Sequence, residues 1–138
     1  MKGQTFINLA VKDLDKTVHF FTELGFKFEP KFTDENATCM IIGKDSFAML
    51  LTEKFFKSFI PKTEISDPHQ YTESMVAISL DSKDEVDEMV EKALDAGAMR
   101  YKKPEVYEDW MYSDGFQDLD GHIWDFFYMD EAKAVKAV

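Results

Sequence analysis

Half a chain apart, the sequence repeats one pattern. Phe6-Ile7-Asn8-Leu9-Ala10-Val11-Lys12-Asp13-Leu14 leads into a helical stretch closing at Leu24-Gly25-Phe26, and Met75-Val76-Ala77-Ile78-Ser79-Leu80-Asp81-Ser82-Lys83 leads into one closing at Ala96-Gly97-Ala98. The two copies open 75 − 6 = 69 positions apart, half of the 138 residues. A strand–helix unit of this size cannot bury its apolar face alone, so two copies imply a pseudo-symmetric pair of modules around one shared surface. A cleft between two such halves is where a site is to be sought.

Each copy reads as one strand, one helix and three further strands. In the first, Phe6 to Val11 is strand-like and Asp13 is placed to cap the free amides of a helix. Leu14, Val18, Phe21 and Leu24 recur at helical spacing, and Gly25 supplies the positive-φ stop. Phe26–Glu29, Ala37–Ile42 and Phe47–Leu51 read as strands, separated by turns at Asp34-Glu35-Asn36 and Gly43-Lys44-Asp45. In the second copy Ser82 and Glu85 form a capping box, and Val86, Met89, Val90 and Ala93 make the buried stripe ahead of Gly97. Met99–Lys102, Trp110–Phe116 and Ile123–Tyr128 are the expected strands, with Asp120-Gly121 in the last turn. The fold class is therefore α+β, a single domain of two βαβββ modules spanning roughly residues 1–60 and 73–130. Between them Phe55, Phe56, Phe59 and Ile60 form an apolar stripe on a short helix that stops before Pro61. That helix caps the core, covers a site as a lid, or meets another subunit. The tail Glu131–Val138 reads as a helix without chemistry.

Composition removes several function classes. The net charge is −11 with one Arg among sixteen basic residues, which repels nucleic acid. Apolar runs such as Phe47-Ala48-Met49-Leu50-Leu51 fall far short of the roughly 20 residues of a membrane span. No basic, apolar, small-residue leader opens the sequence. Cys39 is alone, so no internal disulfide forms, and a reducing, cytoplasmic setting is expected.

The two modules, together with Leu9-Ala10-Val11-Lys12-Asp13-Leu14, Phe20-Phe21-Thr22-Glu23-Leu24-Gly25-Phe26 and Phe116-Gln117-Asp118-Leu119-Asp120-Gly121-His122-Ile123-Trp124-Asp125, resemble the vicinal oxygen chelate superfamily. That superfamily includes glyoxalase I, fosfomycin-resistance thiol transferases, extradiol dioxygenases and bleomycin-resistance proteins, and the subgroup most resembled is labelled predicted lactoylglutathione lyase. The resemblance implies a curved mixed sheet around a cleft and a homodimer, for which Phe55–Ile60 offers a surface. In metal-dependent members it implies a divalent ion held by a His on the first strand of each module and an acid near each module's end. His and carboxylate hold such an ion while leaving positions open for substrate oxygens. Carried to this sequence, the His positions are Phe6 and Met75, the first acid falls in Met49-Leu50, and only the last survives, as Asp125. One ligand in four does not hold a catalytic ion, so neither metal nor other cofactor is expected.

Strand alternation puts Phe6, Asn8 and Ala10 on one face and Ile7, Leu9 and Val11 on the other, with Met75, Ala77 and Ser79 opposed to Val76, Ile78 and Leu80 in the second copy. Asn8 contacts a ligand or joins a local network; Met75 lines an adaptable pocket or fills core. Asp125 alternates with Ile123 and Phe127. It serves as a general base, anchors an amine-bearing ligand, or forms a salt bridge to Arg100, Lys102 or Lys103. Trp110 and Tyr112, with Tyr107 and neighbouring acids, rim the cleft in the resembling family and suit a flat or cationic ligand. Asp118 and Asp120 read as turn residues bonding their own backbone. His19, His69 and His122 have no ligand spacing, and Cys39 reads as an inert apolar residue. The function expected is a metal-free protein binding a small molecule at Asn8, Met75, Trp110, Tyr112 and Asp125. The alternatives are a lactoylglutathione-lyase-like or other lyase or isomerase with an atypical metal site or Asp125 as base, and a purely structural dimer module.

Overall fold

The computed structural model describes residues 2–137, so Met1 and Val138, the last residue of the expected tail, lie outside the described residues. The chain forms two compact units, Met1–Asp67 and Pro68–Val138. The first contains β1 (Thr5–Val11), α1 (Leu14–Glu23), β2 (Lys27–Phe28), β3 (Ala37–Gly43), β4 (Ser46–Thr52) and α2 (Glu53–Lys57). The second contains β5 (Met75–Ser79), α3 (Lys83–Asp95), β6 (Glu105–Tyr107), β7 (Met111–Gln117), β8 (Ile123–Met129) and α4 (Glu131–Ala137).

The wiring of the two sheets is the same. Strand order is β1-β4-β3-β2 in one and β5-β8-β7-β6 in the other. In each, the first strand of the unit pairs parallel to the last and the remaining pairs are antiparallel. This is the repeated βαβββ unit, α+β in class. Among the described residues no helix is long and apolar enough to cross a membrane.

Local chemistry sets the helices. The Asp13 carboxylate accepts from the Lys16 amide at 3.1 Å, and Gly25 stops α1 at φ 99°, a backbone region that other residues enter only at a cost. Phe20, Phe21 and Leu24 are buried beneath α1. In α3 the Ser82 hydroxyl accepts from the Glu85 amide at 3.1 Å, while the Glu85 carboxylate reaches back to the Asp81 amide at 2.7 Å. Val86, Val90 and Ala93 are fully buried on the same helix.

Three expected strands differ from those found. Phe26–Glu29 shrinks to Lys27–Phe28 because Pro30 opens a 3₁₀ turn, Pro30–Phe32, capped by the Glu29 carboxylate. Met99–Lys102 is no strand: only Met99 bridges to Gln117. The Lys102 carbonyl accepts from Arg100 Nη1 instead and Pro104 has no amide to donate, so edge pairing resumes only at Glu105–Tyr107. The strand expected from Trp110 starts one residue later, since Trp110 sits in a turn in which Glu108 takes φ 50°.

Candidate functional site

In the second unit α3 packs on β7 and β8, covering a core of Phe116, Trp124 and Phe126, all fully buried. Phe116 and Phe126 stack with ring centroids 5.6 Å apart. Because strands alternate, the residues between these face the other side of the sheet. Register aligns Met75 with Ile123, Ala77 with Asp125 and Ser79 with Phe127, and sets Gly115 beside Asp125 and Ser113 beside Phe127. Met75 is 54% exposed, and Ala77 and Ser79 are exposed as well.

Asp125 is the centre of a polar cluster on this face. Its Oδ1 lies 2.7 Å from Lys102 Nζ, in an ion pair whose side chains are only 17% and 16% exposed. The same ammonium donates to Ser113 Oγ at 3.1 Å, and the Tyr101 hydroxyl donates to Asp125 Oδ1 at 3.5 Å. Of the alternatives open to Asp125, the salt bridge to Lys102 is the one formed. Gly115 makes room for this arrangement: a Cβ there would stand 2.8 Å from the Tyr101 hydroxyl and 2.5 Å from the Trp124 carbonyl oxygen. Burial, then the Asp125 charge and hydrogen bond, push the Tyr101 phenol well above its ordinary value, because its anion would face a carboxylate. Arg100 is engaged elsewhere, with Nη1 donating to both Asp114 oxygens at 3.1 and 3.2 Å.

The other candidates are dispersed. Tyr112 shares its face with Asp114 and Phe116, opposite to Asp125, and donates to Asp87 on α3, so the two-residue period separates it from the Asp125 cluster. Trp110 stays in its turn, donating from Nε1 to Glu108 at 3.1 Å and meeting Tyr107 edge-on at 5.3 Å. Asn8, in the first unit, is exposed on β1 and donates to the Phe6 carbonyl at 3.2 Å. Beside it Phe6 stacks on Phe47 at 4.8 Å and is 43% exposed. Cys39 is buried, and burial followed by the Glu29 charge raises its thiol, which keeps it unreactive.

The F-x-D-x-D-G-H-x-W stretch has a structural explanation. Asp118 Oδ1 accepts from the amides of Asp120 at 2.9 Å and His122 at 3.0 Å, and Oδ2 accepts from Trp124 Nε1 at 2.8 Å. Burial pushes the Asp118 carboxyl up, against the opposing pull of His122 and the Trp124 donor. Gly121 lies at φ 96°, and a Cβ there would meet His69 Nδ1 at 2.7 Å.

Residues 4–43 match the family described as bleomycin resistance protein-like N-terminal. Among solved structures, a hypothetical protein from S. aureus, SA1046, is 29% identical, with 93% of this chain and 95% of that one covered at a TM-score of 0.77. A glyoxalase/bleomycin resistance protein/dioxygenase family enzyme from Burkholderia phytofirmans is 18% identical over 90% of this chain and 96% of its own, also at 0.77. The match over residues 4–43 and the shared fold both agree with a resemblance to the vicinal oxygen chelate superfamily. The fosfomycin resistance protein FosX of Listeria monocytogenes, solved with Mn(II) and sulfate, superposes at a TM-score of 0.71 with 19% identity, covering 99% of this chain and 98% of that one. No curated protein sequence gives a significant match.

Strand register decides which residue of Met49-Leu50 corresponds to Asp125 in this superfamily's fold. Phe6 opposite Phe47 in the first unit parallels Met75 opposite Ile123 in the second, and two residues on Asn8 opposite Met49 parallels Ala77 opposite Asp125. The equivalent is Met49, since Leu50 turns to the buried side. The positions equivalent by register in the two units are then Phe6 with Met75 and Met49 with Asp125. Tyr101, Ser113 and Gly115 were invisible as site residues in the sequence. Lys102 was legible only as one of three cations within reach of Asp125.

Proposed function

We propose that the chain is a small-molecule-binding protein of the vicinal oxygen chelate superfamily that works without a divalent ion, with the Asp125 face of the second sheet as its binding surface. The observation that carries this reading is the 2.7 Å ion pair between Lys102 and Asp125. In the second unit the positions implied by the resemblance offer one thioether, Met75, and one carboxylate, Asp125, which do not fit a divalent ion that prefers oxygen and imidazole donors. The single carboxylate already has a cation against one oxygen, so an incoming ion would meet the Lys102 charge before it met Asp125. Exposed Met75 beside the polar cluster gives an adaptable apolar surface, the mixture of apolar area and a few fixed polar groups usual in ligand sites.

Elemental analysis of protein purified without chelator is expected to find no stoichiometric transition metal. Thermal-shift screening is expected to find stabilising compounds, since a ligand at a hundred times its Kd adds about 2.7 kcal/mol. A tightly held ion that disappears in Asp125→Ala, or turnover of an aldehyde–thiol adduct, would overturn the reading in favour of a lyase. The protein is proposed to act as a homodimer. Phe59, 66% exposed and packed edge-on against Phe55 at 4.9 Å, is the apolar group a second copy would cover. Sedimentation of Phe59→Glu against the unmodified protein tests this.

A further inference from the structure

We infer that the Lys102–Asp125 pair selects a neutral ligand group that donates and accepts hydrogen bonds side by side, of the carboxamide or ureido class. This deepens the binding reading above and rests on it. Both protein donors to Asp125, Lys102 Nζ and the Tyr101 hydroxyl, converge on Oδ1. Among the described residues Oδ2 accepts from none, yet no buried side-chain oxygen lacks a partner. Oδ2 therefore reaches the surface and is available to a ligand N–H. Lys102 carries three N–H donors, two of them directed to Asp125 and Ser113, which leaves one for a ligand carbonyl. Ala77, the register neighbour of Asp125 on β5, has no side chain long enough to block approach from that flank; over Gly115, on the other flank, stands the Tyr101 hydroxyl.

Charge decides the class. The pair is neutral as a whole, so a ligand carboxylate would face Asp125 and a ligand ammonium would face Lys102, each repelled by one member at short range. A group with an N–H next to a C=O satisfies both and leaves the pair intact. Exposed Met75, half-buried Ile123 and half-buried Phe127 surround the polar centre and favour an apolar substituent on that group.

The test is a chemical-shift titration of isotope-labelled protein with benzamide, benzoate and benzylamine, three probes alike in shape and differing in the polar group. Benzamide is expected to perturb the Ala77 and Asp125 amides with a Kd about tenfold or more below those of the other two, because each charged probe leaves one charged partner unsatisfied. Removing one member of the pair strands a buried charge, so the variant is Lys102→Met with Asp125→Leu, a replacement that preserves packing. In that variant the preference for benzamide is expected to vanish. Benzoate or benzylamine binding as tightly as benzamide, no perturbation at Ala77 and Asp125, or a preference that survives the double replacement would overturn the inference. Stabilisation by compounds lacking such a group would leave the binding reading standing while this inference falls; a thermal-shift screen in which no compound stabilises the protein would remove the reading itself.

Discussion

Replacing Asp118 by Ala tests why the turn before β8 has the sequence it has. The side chain is 3% exposed and accepts three bonds, two from the turn amides of Asp120 and His122 and one from Trp124 Nε1. Bonds to an ionised acceptor contribute about 1.5–3 kcal/mol each, and a buried donor left unpaired costs about 1–3 kcal/mol. Trp124 is fully buried, so its N–H loses its Asp118 acceptor in the core, while the turn amides regain water as the loop loosens. Three lost bonds amount to roughly 4.5–9 kcal/mol, of which the share of the two turn amides is largely recovered from water and a further part is offset because the buried carboxylate no longer has to be desolvated. A net loss of about 2–4 kcal/mol is expected, a large share of the 5–15 kcal/mol by which a typical domain is stable. Asp118→Asn keeps one carbonyl oxygen, serving either the turn or Trp124 but not both, and is expected to lose about half as much. The assay is urea unfolding followed by tryptophan fluorescence, with Trp124→Phe alone and combined to complete a double-mutant cycle. Coupling of about 1–2 kcal/mol between Asp118 and Trp124 is expected. A loss below about 1 kcal/mol in Asp118→Ala, or no coupling, would refute a structural role for this carboxylate.

Two further perturbations separate packing from charge. Gly115→Ala brings a Cβ within 2.5 Å of the Trp124 carbonyl oxygen, a backbone atom that yields only if β8 moves, and a loss of about 1–3 kcal/mol in denaturant unfolding is expected; rescue by Tyr101→Phe would show that the hydroxyl, not the strand, was the obstacle. Tyr112 is pushed up from 10.0 to about 12, first by its hydrogen bond to Asp87, then by burial and the Asp87 charge. A raised phenol stabilises the fold fully below pH 10 and less and less as pH rises through about 12, so the stability gap between the unmodified protein and Asp87→Ala should narrow over that interval. Ultraviolet titration should also show the Tyr112 phenol of Asp87→Ala ionising earlier; an unchanged phenol would refute the link to Asp87.

The backbone plan was legible because its signals are local. Asp13, Ser82, Gly25 and Gly97 punctuate two helices, and apolar periodicity marks which face each buries, so the doubled βαβββ order follows from short-range chemistry. The edge of the second sheet was not legible. Met99–Lys102 has strand-like alternation, but the Arg100 side chain takes the Lys102 carbonyl and Pro104 withholds an amide, a competition that propensity does not register. The parting of Tyr112 from Trp110 was not legible for a different reason. Sequence proximity grouped it with Trp110 as an aromatic stretch, whereas the strand sends Tyr112 to α3 and the turn keeps Trp110 apart. Lys102 and Asp125 lie 125 − 102 = 23 positions apart, and nothing in either residue's neighbourhood says which of three nearby cations reaches the carboxylate.

The adjacent residues Trp124 and Asp125 show why the family likeness and the site chemistry can part. Period two sends them to opposite faces of β8. Trp124 is tied to Asp118, within the turn whose glycine and aspartates carry much of the resemblance, so those residues are held by the demands of the fold. Asp125 answers to Lys102 and Tyr101 on the other face, where register couples it to Ala77 and Gly115. Asp118 bonds to Asp120, His122 and Trp124, whereas Lys102 meets Ser113 and Asp125, so these two sets of bonds share no residue. Replacements among the open-face positions therefore leave the recognisable sequence intact, as Phe6, Met49 and Met75 illustrate beside an undisturbed D-x-D-G-H-x-W turn. The superfamily resemblance read from that turn constrains the architecture, while ligand chemistry has to be read from the opposite side of the same strands.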